Sequence, residues 1–233
     1  MKNVLMFLIL ITTVIGVFTP IRAYAQSPQN TSQTVEVVKD IDGNVYNTTK
    51  IDRQIWMAEN LKTTKFNDGT PITLITDSAT WANLVSPGYC WYNNDQVTYK
   101  HLYGALYNWY TVNKGKLCPT GWHVPADEEW TVLTTYLGGE GSAGPKLKEC
   151  GKDHWGGNVA PAMGTNATNF TALPGGNRYD IGIFINLGNG FWWSATESSP
   201  LSAWSRVMYG DYYGVVRGYS NKKHGFSVRC LKD

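Results

Sequence analysis

The stretch Pro125-Ala126-Asp127-Glu128-Glu129-Trp130-Thr131-Val132-Leu133-Thr134-Thr135-Tyr136-Leu137-Gly138-Gly139 reads as one helix with both ends marked. Pro125 pre-sets the backbone at the start, and Asp127, Glu128 and Glu129 crowd the first turn, where unpaired helix N–H groups favour negative charge. Trp130, Leu133 and Leu137 recur at the helical period as a buried face, and Gly138-Gly139 ends the element. Upstream, Tyr103, Leu106, Tyr107 and Tyr110 fall at i, i+3, i+4 and i+7 and predict another helix, while Asp77-Ser78-Ala79-Thr80-Trp81 predicts a short capped turn of helix before Pro87. Short strands surround these helices. Residues 34–38 and 45–51 flank the turn Asp40-Ile41-Asp42-Gly43-Asn44, and further strands are predicted at 54–57 and 89–92. From Phe170 onward the pattern is strand-rich, at 181–185, 191–195, 203–208, 213–217 and 225–231. The fold class is therefore α+β, with two helices and short, mostly antiparallel sheets.

Ten Trp and fourteen Tyr in a chain with few charges point to sheets and turns packed around large flat side chains. Trp56, Trp109, Trp122, Trp130, Trp192 and Trp193 are the expected core. Net charge is +2 with no run of Lys or Arg, so nothing is suited to tracking a phosphate backbone, and no nucleic-acid partner is expected. The first twenty-five residues read as a secretory leader: Lys2, an apolar run over residues 4–18, then Ala23-Tyr24-Ala25 as a cleavage site. Residues 26–33 read as a flexible tether, and residues 34–233 as one domain. The protein is expected to be secreted, periplasmic or at the cell surface, with no membrane-spanning segment after cleavage.

The residues that might carry chemistry are sparse. Asp127, Glu128 and Glu129 are the one carboxylate cluster, and their place in a first helical turn already explains them. His101, His123, His154 and His224 lack ligand spacing, and His123 reads as a hydrogen-bonded structural residue. Ser194 lacks the glycine-flanked elbow of a nucleophile, and Gly175-Gly176 lacks the context of a phosphate cradle. Asp40, Asp42 and Asn44 lack the glycine and glutamate positions of a calcium loop. Neither a metal nor a cofactor is expected. Cys90, Cys118, Cys150 and Cys230 allow three full pairings in an exported protein, and none has zinc-site spacing.

Residues 198–224, SSPLSAWSRVMYGDYYGVVRGYSNKKH, stand apart. Tyr209, Gly210, Asp211, Tyr212, Tyr213, Tyr219, Ser220 and Asn221 are interleaved with Trp204, Arg206, Val207, Val215 and Arg217, which read as framework. Tyr, Ser, Gly, Asn and Asp make up the palette of binding loops, and an ordinary twisted sheet with aromatic cross-strand pairs accounts for the composition equally well. On the binding reading, Tyr209, Asp211, Tyr212, Tyr213, Tyr219, Asn221 and His224 share one outward face, with Trp204, Val207, Phe226 and Val228 pointing inward.

Several stretches, in order, resemble the Fibrobacter succinogenes major paralogous domain: Trp56-Met57-Ala58-Glu59-Asn60-Leu61, Tyr103-Gly104-Ala105-Leu106-Tyr107-Asn108-Trp109, Cys118-Pro119-Thr120-Gly121-Trp122-His123-Val124-Pro125, Trp192-Trp193-Ser194-Ala195-Thr196-Glu197 and Gly225-Phe226-Ser227-Val228-Arg229-Cys230. More loosely, Val124-Pro125-Ala126-Asp127-Glu128-Glu129-Trp130 followed by Gly225-Phe226-Ser227-Val228-Arg229 is similar to the sulfatase-modifying-factor family, a variant of the C-type lectin fold. The likeness implies a lectin-like domain whose last strand returns beside the first. It also implies a Cys118–Cys230 bridge, with Cys90–Cys150 as the second pairing. The formylglycine-generating members use two closely spaced C-terminal cysteines, where this chain has Cys230 alone. Lectin-like domains of this kind also serve as targets of diversity-generating retroelements. Residues 198–224 resemble such a variable cassette, with Met208 necessarily fixed. The reading is a binding module for a surface glycan or protein. The alternatives are an enzyme of the sulfatase-modifying type or a glycan-active relative, and a structural surface protein.

Overall fold

The computed structural model describes residues 36–151, 153–155 and 164–233; the expected leader and tether fall outside the described residues. In chain order, strands β1 (Val37–Lys39), β2 (Val45–Ile51), β3 (Gln54–Met57) and β4 (Thr73–Leu74) precede α1 (Ser78–Asn83) and β5 (Gly88–Cys90). Next come α2 (Gln96–Tyr103), β6 (Leu106–Tyr107), α3 (Trp109–Val112), β7 (Trp122–His123), α4 (Asp127–Tyr136) and α5 (Gly144–Leu147). The last part is all strand: β8 (Asn177–Arg178), β9 (Phe184–Ile185), β10 (Gly190–Ser199), β11 (Ser202–Met208), β12 (Val216–Asn221) and β13 (Leu231–Lys232). The class is α+β, and only α2 and α4 exceed six residues. Among the described residues no helix is long and apolar enough to cross a membrane.

Two sheets organise the chain. The first has order β1-β2-β3-β13-β7, all antiparallel, so the last strand lies between the N-terminal hairpin and β7. The second is the antiparallel set β10-β11-β12. Helix α4 forms as its sequence dictates: the Glu129 carboxylate folds back to accept from the Ala126 N–H at 2.8 Å, and Trp130 and Leu133 turn inward. Trp130 meets Trp56 at 4.8 Å between ring centroids and packs with Phe170, Trp192, Met208 and Leu231, joining helix and both sheets in one cluster. All six tryptophans expected in the core are buried, Trp56, Trp130 and Trp192 in this cluster and Trp109, Trp122 and Trp193 in a second one. Several indole N–H groups find acceptors: Trp109 donates to the Ser194 carbonyl, Trp193 to the Tyr107 carbonyl and Trp192 to Asn60 Oδ1.

Buried arginines organise irregular backbone elsewhere. Arg229 is fully buried and donates to Asn60 Oδ1 and to the carbonyls of Met57, Phe170 and Thr171. Among the described residues it bonds no carboxylate, and burial pushes its pKa down to about 9. Arg178 donates to the carbonyls of Ile75, Thr76 and Gly182, between the rings of Trp81 and Phe184.

The structure corrects several expectations. The apolar stripe from Tyr103 to Tyr110 is not one helix. Helix α2 ends at Tyr103, and Gly104 takes φ of 75° where any Cβ would press on the Leu61 carbonyl oxygen at 2.7 Å. The following N–H groups are drawn into tertiary pairing, Ala105 with the Leu61 carbonyl and Tyr107 with that of Phe226. The strand expected at 213–217 begins at Val216, and 225–231 contributes isolated bridges before the two-residue β13. Cys118 and Cys230 form a disulfide, whereas Cys90 and Cys150 are free thiols, one buried and one exposed, and so do not pair. Burial pushes the Cys90 thiol up to about 12.

Candidate functional site

In the β10-β11-β12 sheet, period-2 alternation sorts the side chains onto two faces. Phe191, Trp193, Ala203, Val207 and Val216 lie on the face against the main core. On the other face Trp192 and Met208 sit under α4, and Arg206, Arg217, Trp204 and Tyr219 continue toward the far end. Trp204 is directly opposite Tyr219 in the ladder, so the two share a face. The expectation of Trp204 inward and Tyr219 outward is therefore corrected: Trp204 is half-buried, with the Arg217 guanidinium stacked 3.5 Å over its ring. Val207, Phe226 and Val228 do point inward.

The seven candidate contact residues divide into three places. Tyr209, Asp211, Tyr212 and Tyr213 are exposed on the loop joining β11 to β12. Tyr219 stands on β12 and is 70% exposed, the most open of the tyrosines in this region. Asn221 ends β12 at its other end and His224 follows in the next turn; there Asn221 donates to Asp180 Oδ2 and His224 packs on Tyr179. Burial of the His224 ring lowers its pKa. One shared face for all seven is thus corrected, because the loop over residues 209–215 and the turn after Asn221 are separated by the length of β12.

The loop itself is held from beneath. Buried Lys148 donates from Nζ to the Tyr209 carbonyl at 2.6 Å and to the Tyr212 carbonyl at 2.8 Å, and its ammonium lies over the Trp155 ring. Burial lowers its pKa to about 8, opposed in part by the nearby Asp211 carboxylate. The Gly144 N–H bonds the Tyr213 carbonyl, the Val215 N–H bonds the Glu140 carbonyl, and Asn189 Oδ1 accepts from the Gly210 N–H. Gly144 has to be glycine, since a Cβ there would fall 2.4 Å from the Tyr213 carbonyl oxygen. The backbone of the loop is therefore tied down at five points. Among the described residues, the side chains of Tyr209, Asp211, Tyr212 and Tyr213 make no hydrogen bond. Tyr209 rests edge-on against Phe191 and the Tyr212 ring lies over Gly214, so the exposed rings stand on a fixed frame.

The residues of this frame carry no local signal in the sequence. Lys148 lies in a Lys-rich stretch that reads as exposed. Asp127, assigned to the helix dipole, also accepts from Arg206 Nη1 at 2.6 Å and from Arg217 Nη2 at 2.7 Å, which locks α4 onto β11 and β12. His123 contacts Glu129 and Asp233 through its two ring nitrogens, as a hydrogen-bonded residue between strands and helix. Among the described residues no group of three or more His, Cys, Asp or Glu is placed to hold a metal ion.

A family model described as the Fibrobacter succinogenes major domain matches residues 49–232. No curated protein and no solved structure matches the chain.

Proposed function

From the premise that this chain belongs to the Fibrobacter succinogenes major domain family, we propose that it is an exported binding module whose contact surface is the loop carrying Tyr209, Asp211, Tyr212 and Tyr213. The observation that carries this is the contrast within the loop between a backbone pinned by Lys148, Gly144, Glu140 and Asn189 and exposed side chains that make no hydrogen bond among the described residues. Such preorganisation lowers the entropy lost on binding, and tyrosine offers wide contact area for few rotatable bonds. Asp211 adds a charged acceptor. The ligand class is a surface glycan or protein, both of which stack on aromatic rings and donate hydrogen bonds. Tyr219, Asn221 and His224 are at most peripheral to it. Export is supported by the Cys118–Cys230 disulfide, which persists in oxidising compartments, and by the leader-like N-terminus. The lectin-like reading belongs with this proposal, since a loop presented at one end of a sheet suits recognition.

The test is a variant with Tyr209, Asp211, Tyr212 and Tyr213 all replaced by serine, screened beside the wild type on a glycan array and a surface-protein display library. The melting temperature is expected to stay close to wild type, because exposed changes of this sort cost within about 0.5 kcal/mol each. Binding is expected to be lost. Lys148→Met should weaken the same binding while all four contact side chains remain. Retained binding in the serine variant would place the site elsewhere.

A further inference from the structure

Strand β12 is an edge. It pairs with β11 alone, and among the described residues no strand lies beyond it. The Lys222 N–H donates to the Leu201 carbonyl, which fixes the alternation of the ladder: Val216, Gly218 and Ser220 turn their backbone groups to β11. The N–H and C=O groups of Arg217 and Tyr219 therefore point away from the sheet. No backbone hydrogen bond from either residue to any other described segment is formed. Exposed edges of this kind are templates for pairing, and native proteins usually blunt them with proline, bulges or inward charges. Neither proline nor bulge interrupts the β12 ladder, which runs in unbroken register from Val216 to Asn221, and a loop covers its edge only at Val215, whose N–H donates to the Glu140 carbonyl.

Gly218 sits at the centre of this edge, and the fold does not require it. Its φ is not in the left-handed region, and an added Cβ would meet nothing within 4 Å. A glycine in a strand interior often marks a bulge, a tight bend or a place where a ligand or another backbone comes close, and the unbroken register rules out a bulge here.

We propose that β12 pairs antiparallel with β12 of a second copy of this chain, about a two-fold axis through Gly218, to give one continuous six-stranded sheet. The pattern of outward groups is self-complementary about that axis. Arg217 falls opposite the partner's Tyr219, and Tyr219 opposite the partner's Arg217, so each pair exchanges two backbone hydrogen bonds. Both side chains lie on the same face, which sets each guanidinium beside a tyrosine ring as Arg217 already lies over Trp204. The two arginines do not repel one another strongly, because Asp127 in each copy accepts from its Arg217. Gly218 meets the partner's Gly218 as the close, non-bonded pair at the centre. An unrelated extended peptide would also find the edge, but it would gain nothing from the Arg217–Tyr219 reciprocity.

The experiment uses the purified protein in a Cys150→Ser background, so that the exposed thiol cannot supply a covalent dimer. Sedimentation equilibrium over a range of concentrations is expected to show a monomer–dimer equilibrium. Gly218→Lys and Gly218→Glu should each give monomers, because like charges then face each other at the axis. An equimolar mixture of the two should restore the dimer, with opposite charges paired. Thermal melts of the separate variants check that both fold, as the open space at Gly218 leads one to expect. A wild type that stays monomeric throughout, or a dimer unaffected by both charges, or a mixture that stays monomeric, would overturn the proposal. Binding through the loop at 209–213 is read in a separate assay, so failure here leaves that function standing and failure there leaves the dimer standing.

Discussion

Asp127 lies in the first turn of α4, where a carboxylate complements the helix N-terminus, and it also accepts hydrogen bonds from Arg206 and Arg217. The first of these roles is visible in the sequence, because it depends on neighbours in the chain. The second depends on residues 79 and 90 positions away and has no local signal. Arg206 is fully buried, so removing the Asp127 charge would leave an uncompensated guanidinium in the core. Asp127→Asn should therefore lower stability by about 3–5 kcal/mol at neutral pH, read from urea unfolding. Burial alone would raise the Asp127 pKa, but the hydrogen bonds from Arg217 and Arg206 outweigh it and hold the carboxyl below its ordinary value of 3.8. A depressed carboxylate contributes stability above its unfolded pKa and loses it as pH falls through the folded one. The gap between wild type and Asp127→Asn should accordingly narrow as pH is taken below 3.8. Lys148 is the same kind of case at the candidate site. Its acceptors lie 61 and 64 residues away, so composition could find the tyrosines but not what holds them.

Elements with a complete local signature were legible. Helix α4 carries its own start, period and stop, and β1 and β2 flank a turn whose Asp40 carboxylate accepts from the Asp42 and Asn44 N–H groups. Elements fixed by distant partners were not. The stripe from Tyr103 to Tyr110 has helical period, yet its backbone is claimed by Leu61 and Phe226, and Gly104 permits the break. Strand β12 starts later than its residue pattern suggests because the segment over residues 209–215 is drawn out as a loop, and that shift is what splits the seven candidate residues. His123 shows how the elements are joined: it stands on β7, Glu129 on α4, and Asp233 just after β13. Burial works to lower its pKa, but the hydrogen bonds to Asp233 and Glu129 and their charges raise it above 6.5. A raised histidine contributes stability that is complete below its unfolded pKa and disappears as pH rises through the folded one. The ring resonances of His123 should titrate above 6.5, and stability should decline slightly on the alkaline side of that value. Since the groups are partly exposed, the amplitude should stay within about 1 kcal/mol. His123→Gln should remove that decline, and an unchanged profile would show that the contacts carry no charge coupling.

Across the molecule, the strand that closes the chain is also the one that joins its parts. Strand β13 is inserted between β3 and β7, Cys230 immediately before it is bonded to Cys118, and Arg229 gathers the carbonyls of Met57, Phe170 and Thr171. Short pairing explains why a covalent tie matters here: β13 contributes only Leu231 opposite Trp56, and Leu231 and Lys232 opposite His123 and Trp122. So few ladder bonds cannot by themselves offset the entropy of bringing a terminus back across the chain. The bridge spans 112 residues, and in the chain-entropy account a loop of that size limits the unfolded ensemble by about 4–5 kcal/mol. Replacing Cys118 and Cys230 together by serine should lower the unfolding free energy by an amount of that order, measured by urea titration under conditions where the wild-type bridge is intact. Replacing Cys90, a buried thiol with no partner sulfur, by alanine should cost far less, because it removes packing alone. If the double serine variant were as stable as the wild type, the clasp would be held by Arg229 and the surrounding core, and the disulfide would be incidental to folding.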